Sequence, residues 1–130
     1  MEPTAIAACM ANGTTTYVDR DDAAGEIPWN RHPQFNGVQL KHLVKGGDTE
    51  GRLSCHMVRI DPGAILEEHT HENQWELHEV IEGEGKFLLD AKEASYYPGC
   101  VGIIPQGTRH KVIAGRSGMV LLAKFFPALL

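Results

Sequence analysis

The chain has 130 residues, enough for one hydrophobic core of ordinary size and not for two. Its net charge is −5, from 12 Lys and Arg against 17 Asp and Glu, and the basic residues are scattered. Without a cationic face to release counterions from phosphates, nucleic-acid and membrane-surface partners are excluded. Three cysteines, Cys9, Cys55 and Cys100, form no C-x-x-C pair and cannot all pair within one chain, so a disulfide framework is not expected and a reducing cytoplasm is.

From its start, MEPTAIAACMANG has an acid at position 2 and six consecutive apolar residues, Ala5 to Met10. That is too few for a signal peptide or a membrane span, so a soluble, unexported protein is expected. Residues 1–35 read as an arm with at most one or two short strands, one of them around Thr14–Val18, packed on a single domain at 36–130. From Val38 onward, β-prone runs alternate with turn punctuation. VQLKHLV is followed by GGDTEG, RLSCHMVRI by DPGA, HEVIE by GEG, and KFLLD by AKEASYYPG. CVGIIP is followed by QGTR, and HKVIA by GRSG, before the final run MVLLAKFF. Short strands at such spacing, with no helix of ten or more residues, predict an all-β antiparallel sandwich or barrel.

One stretch stands out. EHTHENQWELH, residues 68–78, carries three histidines and three glutamates and runs into apolar Val80-Ile81. On a strand, His69 and His71 project from one side and reach one ion together, while Thr70 faces away. Glu76 can return on the next strand to the same pocket, and His110 can supply a fourth ligand. Imidazoles with a carboxylate suit Zn, Fe, Mn, Ni or Cu.

These residues resemble those of the cupin superfamily. Gly63, His69, His71, Glu76 and Gly83 fall at every position of its first motif, G-x5-H-x-H-x4-E-x6-G. Gly99, Pro105, Gly107 and His110 match the second, G-x5-P-x-G-x2-H-x3-N, with Ala114 in place of the usual Asn. The similarity runs from about Leu53 to Phe126. It implies a small single-domain cupin: a double-stranded β-helix or jelly-roll barrel with antiparallel strands and little helix. It also implies one divalent transition ion per chain, bound by His69, His71, Glu76 and His110. Gly63, Gly83 and Gly107 are read as scaffold, and Pro105 as fixing a turn.

If Glu76 faces inward, His78 does too by alternation. It then serves as an acid/base group or as a support behind the ligands, with its imidazole kept neutral by the cation, unless it is a plain core histidine. His56 and Arg59 have opposite parity on one strand, so only one lines the interior as a substrate-binding residue. Cys55 and Cys100 read as small buried hydrophobes, Glu67, Glu68 and Glu72 as a solvated rim, and Trp29, Phe35 and Trp75 as pocket-mouth or core aromatics. The resemblance implies a metal-dependent enzyme of dioxygenase, isomerase, lyase or decarboxylase type acting on a small oxygen-rich molecule. A non-catalytic metal- or ligand-binding or sensing protein is the alternative, and a storage role is disfavoured because it needs no ligand set. Apolar runs such as VLLAKFF predict a homodimer.

Overall fold

The computed structural model describes residues 5–130; residues 1–4 of the expected arm lie outside the described residues. It is dominated by antiparallel strands, with one helix of eight residues, α1 (Ala5–Asn12), among the described residues. No helix among them is long and apolar enough to cross a membrane. The arm holds β1 (Thr14–Thr16), β2 (Asp21–Ala23) and β3 (Asn30–Arg31), three short strands where one or two were expected. The extra pairing was hidden because β2 is Asp-Asp-Ala, a strand-poor composition held only by its partner β1. At eight residues, about two turns, α1 cannot stand alone. It lies against the outer face of the barrel, where Ala7 and Met10 join Leu43, Met57, Val120 and Leu122. Buried Lys41 pins it by donating its ammonium to Ala11 O at 2.9 Å and Ala24 O at 2.5 Å.

The barrel strands are β4 (Val38–Val44), β5 (Ser54–Ile60), β6 (Ile65–His69), β7 (Trp75–Leu89), β8 (Lys92–Tyr96), β9 (Val101–Ile104) and β10 (His110–Phe126). HEVIE and KFLLD, expected as separate strands, are one strand, β7; HKVIA and MVLLAKFF likewise make up β10. GEG and GRSG are therefore not chain reversals. They mark where two long strands bend together from one sheet into the other. The first half of β10 pairs with β6 and the far half of β7, the second half with β5 and the near half of β7, and the register breaks between Ala114 and Met119. Gly83 has φ 78°, and a Cβ there would collide with the Gly118 carbonyl, so the two backbones meet only through glycine. AKEASYYPG, expected as a connection, contains β8, an edge strand paired with β7.

The run MVLLAKFF shows no clean alternation because both its faces are covered. Met119, Leu121, Ala123 and Phe125 enter the barrel interior with Val38, Val58, Ile60 and Ile104, while Val120 and Leu122 lie under α1. Each of these side chains except Ala123 contributes about 1.5–3 kcal/mol by leaving water. The chain leaves β10 at Phe126 and folds back over the open end of the barrel. Ala128 N–H donates to Gly51 O at 3.0 Å, Leu129 N–H to Ser54 Oγ at 2.9 Å, and Gly46 N–H to Leu130 O.

Candidate metal centre

At that open end four side chains converge. His69 closes β6, His110 opens β10 directly opposite it in register, Glu76 stands near the start of β7, and His71 sits in the loop between β6 and β7. That loop is not strand, so His71 does not follow from simple alternation with His69. Instead the second motif holds it in place: Gly107 N–H donates to His71 O at 2.9 Å, and the Gln106 side-chain amide donates to Glu72 O at 2.6 Å. One ligand atom from each of the four side chains lies within 4.8 Å of the others.

Hydrogen bonding determines which imidazole nitrogen is free. His69 Nδ1 lies 2.6 Å from Glu67 O and His110 Nδ1 lies 2.9 Å from Thr108 O; both must donate to a carbonyl, so each ring presents an Nε2 lone pair inward. Glu76 Oε1 lies 3.2 Å from His110 Nε2 and 3.4 Å from His71 Nε2. Glu76 Oε1 and His110 Nε2 are nevertheless buried without a hydrogen bond. Two unsatisfied acceptors facing each other cost about 1–3 kcal/mol each, and a cation between them removes the cost. The donor set and its geometry thus fit a transition ion.

The other Glu76 oxygen is committed elsewhere. Oε2 lies 2.7 Å from His78 Nε2, and His78 Nδ1 lies 3.2 Å from the Tyr96 hydroxyl. Burial would raise the Glu76 pKa, but its imidazole neighbours, His78 foremost, outweigh it and hold the carboxyl well below the usual range. Burial, then the Glu76 charge, pushes the Tyr96 phenol up, so it stays protonated. Tyr96 therefore donates to His78, and His78 to Glu76. Gly102 makes room for this chain, since a Cβ there would strike the Tyr96 hydroxyl. His78 is fully buried behind Glu76 and does not line the cavity, which corrects the reading of it as a base facing substrate.

Beside the four ligand candidates is a cavity of about 70 Å³ with walls from Leu40, Val58, Leu66, Ala123, Phe125, Leu129 and Leu130. Of the β5 candidates His56 lines it and Arg59 does not. Arg59 lies on the outer face, its guanidinium 4.4 Å from the Trp29 ring and bonded to Gln39, which corrects its assignment to substrate. Phe35 stacks on His32 and tilts toward His69, whereas Trp75 is exposed. Cys55 and Cys100 are half-buried free thiols against the two apolar clusters.

Sequence reasoning missed His32, His42, Ser54 and Tyr96. His32 and His42 line the cavity, and Ser54 bonds to His56. His42 shares inward parity with Val38 and Leu40, opposite Gln39 and Lys41, and that alternation is the signal that could have found it. Burial lowers the pKa of His69 to about 4 and depresses that of His71; neutral imidazoles with available lone pairs are the result.

Comparison with known proteins agrees with this architecture. The model of the cupin domain (Cupin_2) matches residues 56–123, more than half of the chain. The chain belongs to the cupin family. A curated relative, the oxalate-binding protein of Thermotoga maritima, is 26% identical over 105 residues, covering 79% of this chain and 86% of that protein. The crystal structure of a predicted oxalate decarboxylase from Thermotoga maritima superposes with TM-score 0.73 at 23% identity, over 79% of this chain and 95% of the other. KdgF from Halomonas sp. does so with TM-score 0.70 at 23% identity, over 79% and 90%. At these identities the superpositions establish the jelly-roll cupin fold and no more.

Proposed function

We propose that this cupin is a metal-dependent enzyme acting on a small oxygen-rich molecule, with one divalent transition ion held by Nε2 of His69, His71 and His110 and by Oε1 of Glu76. The observation that carries this reading is the pair of buried, unpartnered atoms Glu76 Oε1 and His110 Nε2 beside a small cavity. With one carboxylate and neutral imidazoles around a divalent ion, the centre keeps a net charge of about +1, which attracts an anionic oxygen ligand. The ion supplies Lewis acidity and, if it is Fe, Mn or Cu, redox chemistry with dioxygen. The chain's own residues do the rest. Tyr96 and His78 hold Glu76 in place, Glu67 and Thr108 carbonyls orient two imidazoles, and Leu40, Leu129, Leu130 and Phe125 exclude water. No Lys or Arg among the described residues lines the cavity, so the charge of an acidic substrate is met at the ion and not by a side-chain cation. Support for a two-carbon dicarboxylate or a ligand of that size comes from the cavity of about 70 Å³ and from the relative that binds oxalate. Dioxygenase, isomerase, lyase and decarboxylase chemistry all fit such a site.

Elemental analysis tests the core of the reading. Protein supplied in turn with Mn, Fe, Ni, Cu and Zn retains close to one ion per chain, and the His69→Ala, His110→Ala double variant retains none. Retention by the double variant, or none by the wild type, rejects it. The second reading, a binding protein without turnover, is favoured by the curated relative being named for binding. Loaded protein that holds oxalate and returns it unchanged, with and without dioxygen, would support that second reading. We also propose a homodimer that buries the exposed Trp75, Val101, Ile103 and Phe126, working in a reducing, cytoplasmic setting that keeps Cys9, Cys55 and Cys100 as thiols.

A further inference from the structure

The cavity wall is apolar except at the candidate ligands and at three other histidines, His32, His42 and His56. Two of these are joined. His42 and His56 are register partners on β4 and β5, their rings meet edge to face at 4.9 Å between centroids, and their Nδ1 atoms lie 2.8 Å apart. On its other side His56 Nε2 lies 2.8 Å from Ser54 Oγ, which also accepts Leu129 N–H at 2.9 Å. His56 and Ser54 are buried, so the chain is locked by packing. Two imidazoles facing through Nδ1 hold one proton between them, one ring donating and the other accepting. Both nitrogens of His56 and the Nδ1 of His42 are thereby spent. His42 Nε2 is the one ring nitrogen of the pair with no protein partner among the described residues, and its ring lines the cavity.

We propose that His42 Nε2 is a ligand-binding atom, which hydrogen-bonds an oxygen of the molecule held at the metal centre, and that His56 and Ser54 are positioning residues that orient it. The ligand class is a small carboxylate, or a hydroxy- or keto-acid, with at least one oxygen beyond those directed at the ion. A hydroxyl or a carboxylate are both served, because the sense of the shared N–H···N bond sets the outer nitrogen. When His56 Nδ1 donates, His42 carries its proton on Nε2 and donates to a carboxylate. When His42 Nδ1 donates, His56 Nε2–H turns to Ser54 Oγ and His42 Nε2 accepts from a hydroxyl. No net proton enters or leaves the pair in either arrangement, and burial lowers the pKa of both rings, which keeps the pair uncharged. Selection is therefore by hydrogen-bond geometry. Apolar isosteres of the ligand are rejected because they cover His42 Nε2 without giving it a partner.

This inference rests on the metal-centre reading, and the experiment separates the two. The full-length protein is loaded with Co(II), and its visible spectrum is titrated with oxalate as probe. We expect His42→Phe to keep its cobalt and to bind oxalate roughly tenfold or more weakly, the scale of a hydrogen bond to a charged group. His42→Gln should recover part of the loss and His56→Leu should show a smaller one, both with cobalt retained. In zinc-loaded, nitrogen-15-labelled wild type, a through-hydrogen-bond coupling should connect His42 Nδ1 with His56 Nδ1; this measurement decides the matter should His42→Phe fail to fold. Absent coupling, oxalate affinity unchanged in His42→Phe, or a cobalt spectrum in the wild type that millimolar oxalate leaves unmoved would each overturn the proposal while the metal centre stands. Wild type that takes up no cobalt overturns the metal-centre reading, and this one with it.

Discussion

Two groups of histidines face one cavity from opposite sides, and their hydrogen bonds differ in kind. On the β6, β7 and β10 side, His69 and His110 give their Nδ1 protons to main-chain carbonyls and turn their Nε2 lone pairs toward Glu76. On the β4 and β5 side, His42 and His56 spend Nδ1 on each other. A main-chain carbonyl can only accept, so it fixes the tautomer and leaves a ligand atom. A second imidazole can do either, so it leaves a group whose sense follows its visitor. The same residue type thus makes a metal site on one wall and a hydrogen-bonding wall opposite.

The largest effect that sharpens this contrast is stabilisation by metal. Zinc at about a hundredfold over its dissociation constant should stabilise the wild type by about 2.7 kcal/mol, or roughly 10 °C in Tm for a domain of this size. Glu76→Leu should abolish that shift, whereas His56→Gln should keep it; calorimetry with and without zinc reads both. Equal loss in the two variants would erase the distinction between the walls.

Next comes the chain behind Glu76. His78→Leu leaves Oε2 and the Tyr96 hydroxyl unpartnered, so metal affinity should fall about 10- to 100-fold by competition with a chromophoric chelator. Tyr96→Phe should do the same more weakly, costing about 1 kcal/mol. Affinity unchanged in His78→Leu would reduce His78 to a core histidine.

The metal-free protein should also lose stability on acidification. Burial, and then His42, lowers His56 from 6.5 to about 4, and burial lowers His69 likewise. Since the unfolded chain binds these protons first, stability is full above pH of about 6.5 and is lost as pH falls through about 4. Urea midpoints should decline over that window, and His56→Gln should flatten the decline. A midpoint that rises as pH falls there would contradict the neutral, buried assignment.

The smallest effect belongs outside the barrel. Arg59→Ala removes a stacked guanidinium from Trp29 and should cost about 0.5–1 kcal/mol in urea while leaving metal content and oxalate binding unchanged. Weakened oxalate binding would return Arg59 to the pocket.

Several features were legible in the sequence because their causes are local. β4 is the run VQLKHLV residue for residue, since a β-prone alternating run between turn residues has one extended solution. The ligand set was legible because two motifs carry four ligand residues at spacings that turn glycines, Gly63 and Gly107 at positive φ, convert into convergence. The parity of β5 left one of His56 and Arg59 inside, without saying which. Tertiary structure decided what depends on distant pairing. Whether GEG reverses the chain or bends it was settled by the Gly83–Gly118 contact, formed only when β7 and β10 lie together. Trp29 of the arm holds Arg59 outward and leaves His56 to the interior, where it meets His42 through a register that no spacing along the chain encodes. Tyr96 reaches His78 because Gly102, on another strand, has no side chain. Ligand types are properties of residues and short spacings; their tautomers and supports are set by neighbours that only long-range strand pairing brings within hydrogen-bond reach.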